Sequence, residues 1–335
     1  MDEKSGWMRW HHLPMFLFVV TMLVVALGGA VRINDAGESC PDWPRCFGSW
    51  GFDVSEEEQG IWYAENPDEV DSLGDQHRYS TGDIFLEWSH RILAGLILGP
   101  LCILQWFVAF RRKSRMPSVH KASAVALVLV IVQGALGALT VRYDNIHWSV
   151  AAHLVLALSL ALSLLWAWIR WMEAEAVLPS WMKVAGGPAL RTRLADMSLA
   201  TLVVLVFGAF VASTPNANEA CSVGSFSAWP LCQGSLFASL LGNLQYAHRL
   251  AVVVVLGWLV WNLVGMERGT VRRLLHAGLG LYVLNLVLGG VYILTWDDGF
   301  IEALSLLHLL LGSTSFLCIA FAALLVRNAS SEEEE

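Results

Sequence analysis

The sequence contains few charged residues. Asp, Glu, Lys and Arg make up 15% of the 335 residues, whereas hydrophobic residues make up 56%. A soluble domain carries about 25% charged residues, so the composition excludes an ordinary soluble enzyme. The sequence also lacks a basic patch of the kind that binds nucleic acid, and no nucleic-acid partner is predicted. No small-residue cleavage site follows the first apolar run, which is too long for a signal-peptide core.

The sequence contains long apolar runs instead of charged segments. Eight segments reach the ~20 residues needed to cross a bilayer. They lie near 13–33, 84–110, 119–141, 147–170, 195–214, 240–264, 271–294 and 300–326. The 16 Trp residues suit a protein with two membrane–water interfaces to line. The sequence therefore predicts an all-α polytopic membrane protein with eight transmembrane helices.

The basic residues predict how the chain is oriented in its lipid membrane. All but six of the 21 Lys and Arg residues lie on the side that carries both termini. By the positive-inside rule, that side is cytoplasmic. This orientation predicts a multi-pass protein of the cell (plasma) membrane, or of the inner mitochondrial membrane if the source is eukaryotic.

The acidic residues are concentrated in one outer loop. Residues 47–83 hold ten Asp and Glu and one Arg, which leaves the rest of the chain close to neutral. The sequence does not say whether this acidic insert covers a cofactor edge, recruits a partner or only keeps the loop soluble. A short acidic tail, 328–335, is predicted to be disordered.

The two halves of the sequence resemble each other. Glu87-Trp-Ser-His90-Arg91 in the second span resembles Gln245-Tyr-Ala-His248-Arg249 in the sixth, and His153 in the fourth span resembles His308 in the eighth. Each half has an even number of spans, so the repeat is predicted to be parallel. The expected domains are two four-helix bundles, 1–175 and 190–327, and the acidic insert belongs to the first.

Four histidines are candidate ligands. His90, His153, His248 and His308 all lie at one predicted depth, ~9–12 Å into spans that begin on the outer side. Ionisable residues within a membrane mark functional sites by default. Two His from facing helices, with no cysteine or carboxylate triad beside them, favour axial ligation of haem iron over tetrahedral zinc. One haem site is therefore predicted in each half.

The halves differ at the residue three before the first histidine. Glu87 shares a helix face with His90 and could act as a general base or stabilise a developing cation. Gln245 keeps the shape of that side chain and loses its charge. The first half is therefore predicted to carry the chemistry and the second to hold a cofactor. Arg91 and Arg249 each follow a ligand candidate. They are predicted either to pair with a haem propionate or to reach lipid headgroups.

Four cysteines lie in outer loops, where disulfides are permitted. We expect Cys40 to pair with Cys46 and Cys221 with Cys232, each within its own loop. Bridges between the halves remain open, because four cysteines allow three connectivities. The role also remains open between a staple over the pocket and a redox pair.

Together, these residues resemble the haem A synthase family. The likeness covers most of the chain and includes the two His-Arg motifs, His153, His308 and the outer loop Cys40-Pro-Asp-Trp-Pro-Arg-Cys46. The resemblance implies that His248 and His308 ligate a haem b and that His90 and His153 flank the iron of the substrate, haem O. It also implies that Glu87 is the catalytic carboxylate and that Cys40 and Cys46 form a disulfide.

The resemblance implies an oxidoreductase that converts the C8 methyl of haem O, through an alcohol and a gem-diol, into the formyl group of haem A. Haem O synthase and an electron acceptor are then candidate partners, whereas the oligomeric state is not predicted. Two alternatives remain open. One is a bis-His two-haem cytochrome that only passes electrons, for example to quinone. The other is a transporter or haem-handling chaperone.

Overall fold

The computed structural model describes residues 9–69, 71–74, 76–143, 146–230, 232, 239–297 and 299–332. The regular secondary structure within these ranges is helical, and the only β pairing described there is an isolated bridge between Cys46 and Ser49. The helices are α1 (His12–Ile33), α2 (Glu56–Glu65), α3 (Thr81–Arg91), α4 (Gly99–Arg111), α5 (Pro117–Arg142), α6 (His147–Ala174), α7 (Pro188–Ser213), α8 (Leu240–Leu263), α9 (Thr270–Leu294) and α10 (Glu302–Glu332).

Eight helical segments are long and apolar enough to cross a membrane. They are α1, the continuous stretch from α3 to α4 (Thr81–Arg111), and α5 to α10. The predicted all-α class and the eight spans are confirmed. The largest extension at a helix start is in α7, which begins at Pro188 and includes a polar turn before its apolar part.

The second span is not a uniform α-helix. Residues Ile92–Leu98 form a π-helical segment between α3 and α4, directly after His90 and Arg91. The N–H of Gly99 bonds to the carbonyl of Ala94, five residues earlier. The next residue is Pro100, which has no N–H and would clash with the carbonyl four residues earlier in an α-helix. The wider π turn accommodates this proline.

Helix contacts close a ring in each half of the chain. In the first half, α1 packs on α3, α4 on α5, α5 on α6 and α6 on α1. In the second half, α7, α8, α9 and α10 meet in the same cyclic order. The halves join through contacts of α1 and α6 with α10 and of α6 with α7. The relation of the halves as a parallel repeat remains a prediction.

The loops that follow α1, α5, α7 and α9 meet at one end of the bundle, which we call the disulfide side. Arg32 Nη2 donates to the Ala212 carbonyl at 3.5 Å, and the Ser213 hydroxyl donates to the His147 carbonyl at 3.4 Å. The N–H of Gly224 bonds to the Ile293 carbonyl at 3.0 Å. These contacts tie the ends of α1, α7 and α9 and the start of α6 together.

The acidic insert is a folded unit with a small core of its own. Its helix α2 begins with a capping box, in which Ser55 and Glu58 satisfy each other's backbone N–H groups. Three consecutive glutamates, Glu56–Glu58, occupy the first turn of α2, where the helix dipole favours negative charge. Buried residues of the insert, Phe47, Val54 and Tyr79, pack with the first disulfide and with Ile84 of α3.

The C-terminal helix is longer than the sequence predicts. The backbone of α10 continues to Glu332, so residues 328–332 of the tail predicted as disordered are helical. The remaining tail, 333–335, lies outside the described residues. Within this extension Ala329 and Glu332 are good helix formers. The helix continues through the weaker formers, one Asn and two Ser, because a formed helix adds residues more easily than it nucleates.

Candidate functional site

A single cavity of about 1950 Å³ runs through both halves of the bundle. Ligand pockets usually measure ~300–1,000 Å³, so this cavity has room for two large ligands. All eight spans contribute to its walls, which are mainly apolar. The four predicted ligands, His90, His153, His248 and His308, all line it.

The histidines pair within each half. His90 and His153 are close enough to interact electrostatically, and so are His248 and His308. His153 and His308 lie in the second turn of α6 and α10, whereas His90 and His248 lie in the third turn of α3 and α8. All four helices start on the disulfide side, so both pairs sit in the half of the bundle nearest to it.

His90 has a backbone partner. Its Nδ1 lies 3.1 Å from the carbonyl oxygen of Val24 on α1. An imidazole that donates from Nδ1 to a carbonyl presents the lone pair of Nε2, the arrangement typical of metal-bound histidines. The Nδ1 atoms of His153 and His248 are buried without a hydrogen-bond partner in the described part of the chain.

Glu87 is buried at the cavity wall and forms an ion pair. Its side chain accepts a hydrogen bond from Arg91 Nε at 2.5 Å. Arg91 Nη1 also donates to the Asp42 carbonyl at 2.7 Å, within the loop closed by the first disulfide. The guanidinium therefore links the carboxylate to that loop. Within α3, Glu87 lies three residues before His90, as the sequence predicts.

Gln245 occupies the equivalent position in the second half and behaves differently. It is as buried as Glu87, at 4% exposure. Its Oε1 accepts from the N–H of Cys221 at 2.9 Å, and its Nε2 donates to the Asn218 carbonyl at 2.6 Å. An amide can satisfy a donor and an acceptor together, which a carboxylate cannot. Gln245 is therefore a structural link to the loop.

Arg249 also contacts the loop of its own half. Its Nη1 lies 3.4 Å from the carbonyl of Pro230. Arg91 and Arg249 thus both donate to a carbonyl of the nearby cysteine loop, a contact that sequence reasoning did not anticipate. The two predicted disulfides are both present as intra-loop bridges, Cys40–Cys46 and Cys221–Cys232.

Sequence reasoning also missed a repeated loop motif. Trp43-Pro44 and Trp229-Pro230 each stand two residues before the second cysteine of their loop, and both peptide bonds are cis. Both tryptophans line the cavity. Comparing Trp-Pro-x-Cys between the halves would have found the motif in the sequence.

The acidic insert forms part of the cavity wall. Tyr63, Asp68, Glu69 and Asp71 line the cavity from the insert. The Tyr63 hydroxyl donates to the Asp71 carboxylate at 3.2 Å. Burial, followed by the nearby Asp71 charge, raises the pKa of Tyr63, and burial and Asp71 raise the pKa of Tyr79 as well. Both phenols therefore stay neutral at physiological pH.

The fold and the site define a helical membrane protein with two paired-histidine sites. The family model for COX15-CtaA, described as "Cytochrome oxidase assembly protein", matches residues 11–320. The chain therefore belongs to the COX15-CtaA family.

The similar proteins carry a more specific name. A protein of Shewanella oneidensis named "Heme A synthase" is 30% identical over 66% of this chain and 61% of its own length. Proteins with the same name from Shouchella clausii and Symbiobacterium thermophilum are 26% and 29% identical and cover 91% and 89% of this chain. In these two matches, 93% and 91% of the relative is covered. The resemblance to haem A synthases is confirmed, and the two-haem cytochrome alternative is not favoured.

Proposed function

We propose that the chain is a haem A synthase, an oxidoreductase that converts haem O into haem A within the membrane. The main observation behind this proposal is that Glu87 is buried beside His90 in the cavity. The equivalent residue of the second half is Gln245, which carries no charge. The chemistry is assigned to the first half, because Glu87 is a buried carboxylate three residues before a cavity histidine, whereas the second-half carboxylates that line the cavity in the described part of the chain, Glu219 and Glu302, are exposed. The C8 methyl of haem O would face Glu87.

The side chains fit haem as substrate and as cofactor. Each half offers two imidazoles, and the described residues contain no group of three or more His, Cys, Asp and Glu that could hold another metal ion. Two imidazoles are a common axial set for haem iron. His90 and His153 would flank the iron of haem O, and His248 and His308 would hold a haem b. A haem b bound there would supply one-electron redox chemistry.

Glu87 is the proposed catalytic carboxylate. Each oxidation takes two electrons and one proton from the C8 methyl carbon, and the electrons pass to the proposed electron acceptor. This leaves an electron-poor carbon that a water molecule attacks to form the new C–O bond. A carboxylate beside it can stabilise the cation or accept the proton of that water. The hydrogen bond from Arg91 Nε fixes the orientation of the Glu87 carboxylate and gives this buried group a partner in the apolar wall. Repetition on the alcohol gives the gem-diol, which loses water to form the formyl group.

Arg91 and Arg249 are also the proposed contacts for haem propionates. A guanidinium carries five N–H donors, and Arg91 uses Nε and Nη1 in the described contacts. A propionate at the disulfide side would approach these arginines between the cavity and the loops. The disulfides Cys40–Cys46 and Cys221–Cys232 then act as staples that hold the loop carbonyls in place.

The proposed location follows from the basic loops. Both termini would be cytoplasmic and the disulfide side would face outward, in the plasma membrane of a bacterium or the inner membrane of a mitochondrion. Haem O is the proposed substrate, and haem O synthase and an electron acceptor are the proposed partners. The named relatives given above are bacterial.

The experiment is to express the chain in a host that makes haem O but not haem A, and to identify every haem extracted from its membranes. The Shewanella heme A synthase serves as a positive control in the same host, and membranes without either protein serve as the blank. We expect haem A or its alcohol precursor. Unchanged haem O beside a folded chain that binds haem b, while the control makes haem A, would contradict the proposal and favour an electron-passing cytochrome.

A further inference from the structure

Each of the four cavity histidines lies against a glycine of the preceding span. His90 contacts Gly28 of α1, and His153 contacts Gly137 of α5. In the second half, His248 contacts Gly208 of α7, and His308 contacts Gly289 of α9. The same contact between a histidine ring and a helical glycine therefore occurs four times, once for every candidate ligand.

The contact is close and uses the same edge of the ring in all four cases. A Cβ placed on Gly28 or Gly289 would lie 2.9 Å from the Cε1 atom of the facing imidazole. On Gly137 or Gly208 the distance would be 3.1 Å, again to Cε1. Carbon atoms in ordinary contact stand ~3.5–4.0 Å apart. Any side chain larger than hydrogen would therefore push the imidazole away.

Backbone conformation does not explain these glycines. All four lie inside helices, and none has a positive φ. A glycine inside a helix costs about 1 kcal/mol relative to alanine, so a helix without a packing demand has reason to use alanine. Some other helical glycines, such as Gly29 and Gly278, also have close neighbours, but the nearest atom there belongs to an aliphatic side chain. Gly257 and Gly280 have no atom within 4 Å of such a Cβ. Among the glycines that the structure describes, the close approach of an imidazole is particular to the four.

The first pair has an additional contact on the same helix. His90 Nδ1 lies 3.1 Å from the carbonyl of Val24, one turn before Gly28 on α1. The ring therefore rests on the backbone of α1 over a full turn, held by a hydrogen bond at one end and by contact with a glycine at the other. A Cβ at Gly28 would interfere with this packing of the His90 ring on α1.

We infer that Gly28, Gly137, Gly208 and Gly289 are positioning residues for the four haem-ligating histidines. Each glycine lets an imidazole pack against the backbone of the neighbouring helix. This contact fixes where the ring presents its nitrogen to iron. The inference rests on the proposed function, because it requires that the histidines are ligands. Groups that position a metal ligand typically change metal affinity 10–100-fold when altered.

The test uses the second half, where a resident haem b gives a spectrum independent of turnover. Gly289→Ala places a methyl group against His308, and Gly280→Ala on the same helix is the matched control, outside the cavity lining. Gly208→Ala repeats the test on His248, with Gly257→Ala on α8 as its control. His308→Ala reports whether that histidine is a ligand at all. The full-length proteins are purified in detergent, and size-exclusion chromatography selects folded protein.

The readouts are haem content, the optical and EPR spectra, and carbon monoxide binding to the reduced protein. A haem with two firmly held imidazoles leaves no position for carbon monoxide. We expect Gly289→Ala and Gly208→Ala to retain on the order of tenfold less haem, or to bind carbon monoxide, while both controls match the unaltered protein.

The two possible failures are distinguishable. If His308→Ala loses haem b and Gly289→Ala and Gly208→Ala both match their controls in every readout, the positioning role is wrong and the ligand assignment stands. If His308→Ala keeps haem b with an unchanged spectrum, the ligand assignment is wrong, and the positioning inference is overturned with it.

Discussion

The two halves of the bundle share a framework and differ in the groups that face the cavity. Each half has a histidine pair, a glycine against each histidine, a cysteine loop with a cis Trp-Pro bond and an arginine that donates to that loop. Among the described residues, the first half alone has a buried carboxylate, a π-helical segment after its first histidine and the acidic insert. In the proposed function, the shared features would hold a ligand and the differing ones would supply the chemistry.

The π-helical segment illustrates this difference. At the position where the first half has Gly99 and Pro100, the second half has Gly257 and Trp258, and α8 is continuous. An inserted π turn rotates the residues before it relative to those after it, and such segments often occur at functional sites. Here the residues before it are Glu87, His90 and Arg91. The proline therefore accounts for the π-helical geometry of the second span, which the continuous α8 of the second half does not adopt.

The largest expected effect comes from making the first half resemble the second. Glu87→Gln should reduce haem O oxidation by about 10²–10⁴-fold, since it removes a positioned acid–base group. The bound haem should remain, because Gln245 fills the same position beside His248. Haem extraction and chromatography measure turnover, and the optical spectrum measures haem content. Turnover like that of the unaltered protein would remove Glu87 from the mechanism.

The next effect concerns the arginine that holds the carboxylate. Arg91→Lys keeps the positive charge but cannot donate to Glu87 and the Asp42 carbonyl with one planar group. A misplaced catalytic group can cost on the order of 10²-fold in rate. The matched variant Arg249→Lys, one turn after Gln245 on α8, should change haem b retention more than it changes the rate per bound haem. Equal effects of the two variants on that rate would contradict the positioning role of Arg91.

The disulfides should show a smaller difference. Replacing both cysteines of either loop with serine removes a constraint worth about 2–3 kcal/mol by loop-entropy arguments. The Cys40/Cys46 double variant should also lower turnover, because its loop provides the Asp42 carbonyl that anchors Arg91. The Cys221/Cys232 double variant should mainly lower the melting temperature in detergent. Thermal unfolding and haem A formation, measured on both variants, check the comparison.

The smallest expected effect lies in the acidic insert, which the second half lacks. Tyr63→Phe removes the hydrogen bond to Asp71 and should destabilise the acidic insert by about 1–3 kcal/mol. The haem b content should not change. Limited proteolysis of the disulfide-side loops should become faster. Because burial and Asp71 raise the pKa of Tyr63, this difference should persist unchanged from pH 6 to about pH 9. A pH-dependent difference would show that another titrating group determines the stability of the acidic insert.

Much of the architecture could be read from local patterns. The eight spans follow from apolar length, and the candidate ligands follow from isolated histidines inside those spans. The Glu87/Gln245 difference was visible once the halves were aligned. The folded insert, the π segment and the helical continuation to Glu332 were not predicted. Each depends on packing or on backbone geometry that a hydropathy pattern does not encode.

The sequence by itself determined the membrane class, the spans and the four histidines, since a bilayer sets a length for every helix and makes each ionisable residue inside it costly. Tertiary structure decided which residues meet. The pairing of each histidine with a glycine on another helix, and the link from Glu87 through Arg91 to Asp42, depend on how neighbouring helices are rotated and placed. Such contacts join residues far apart in the chain, and no local periodicity specifies them.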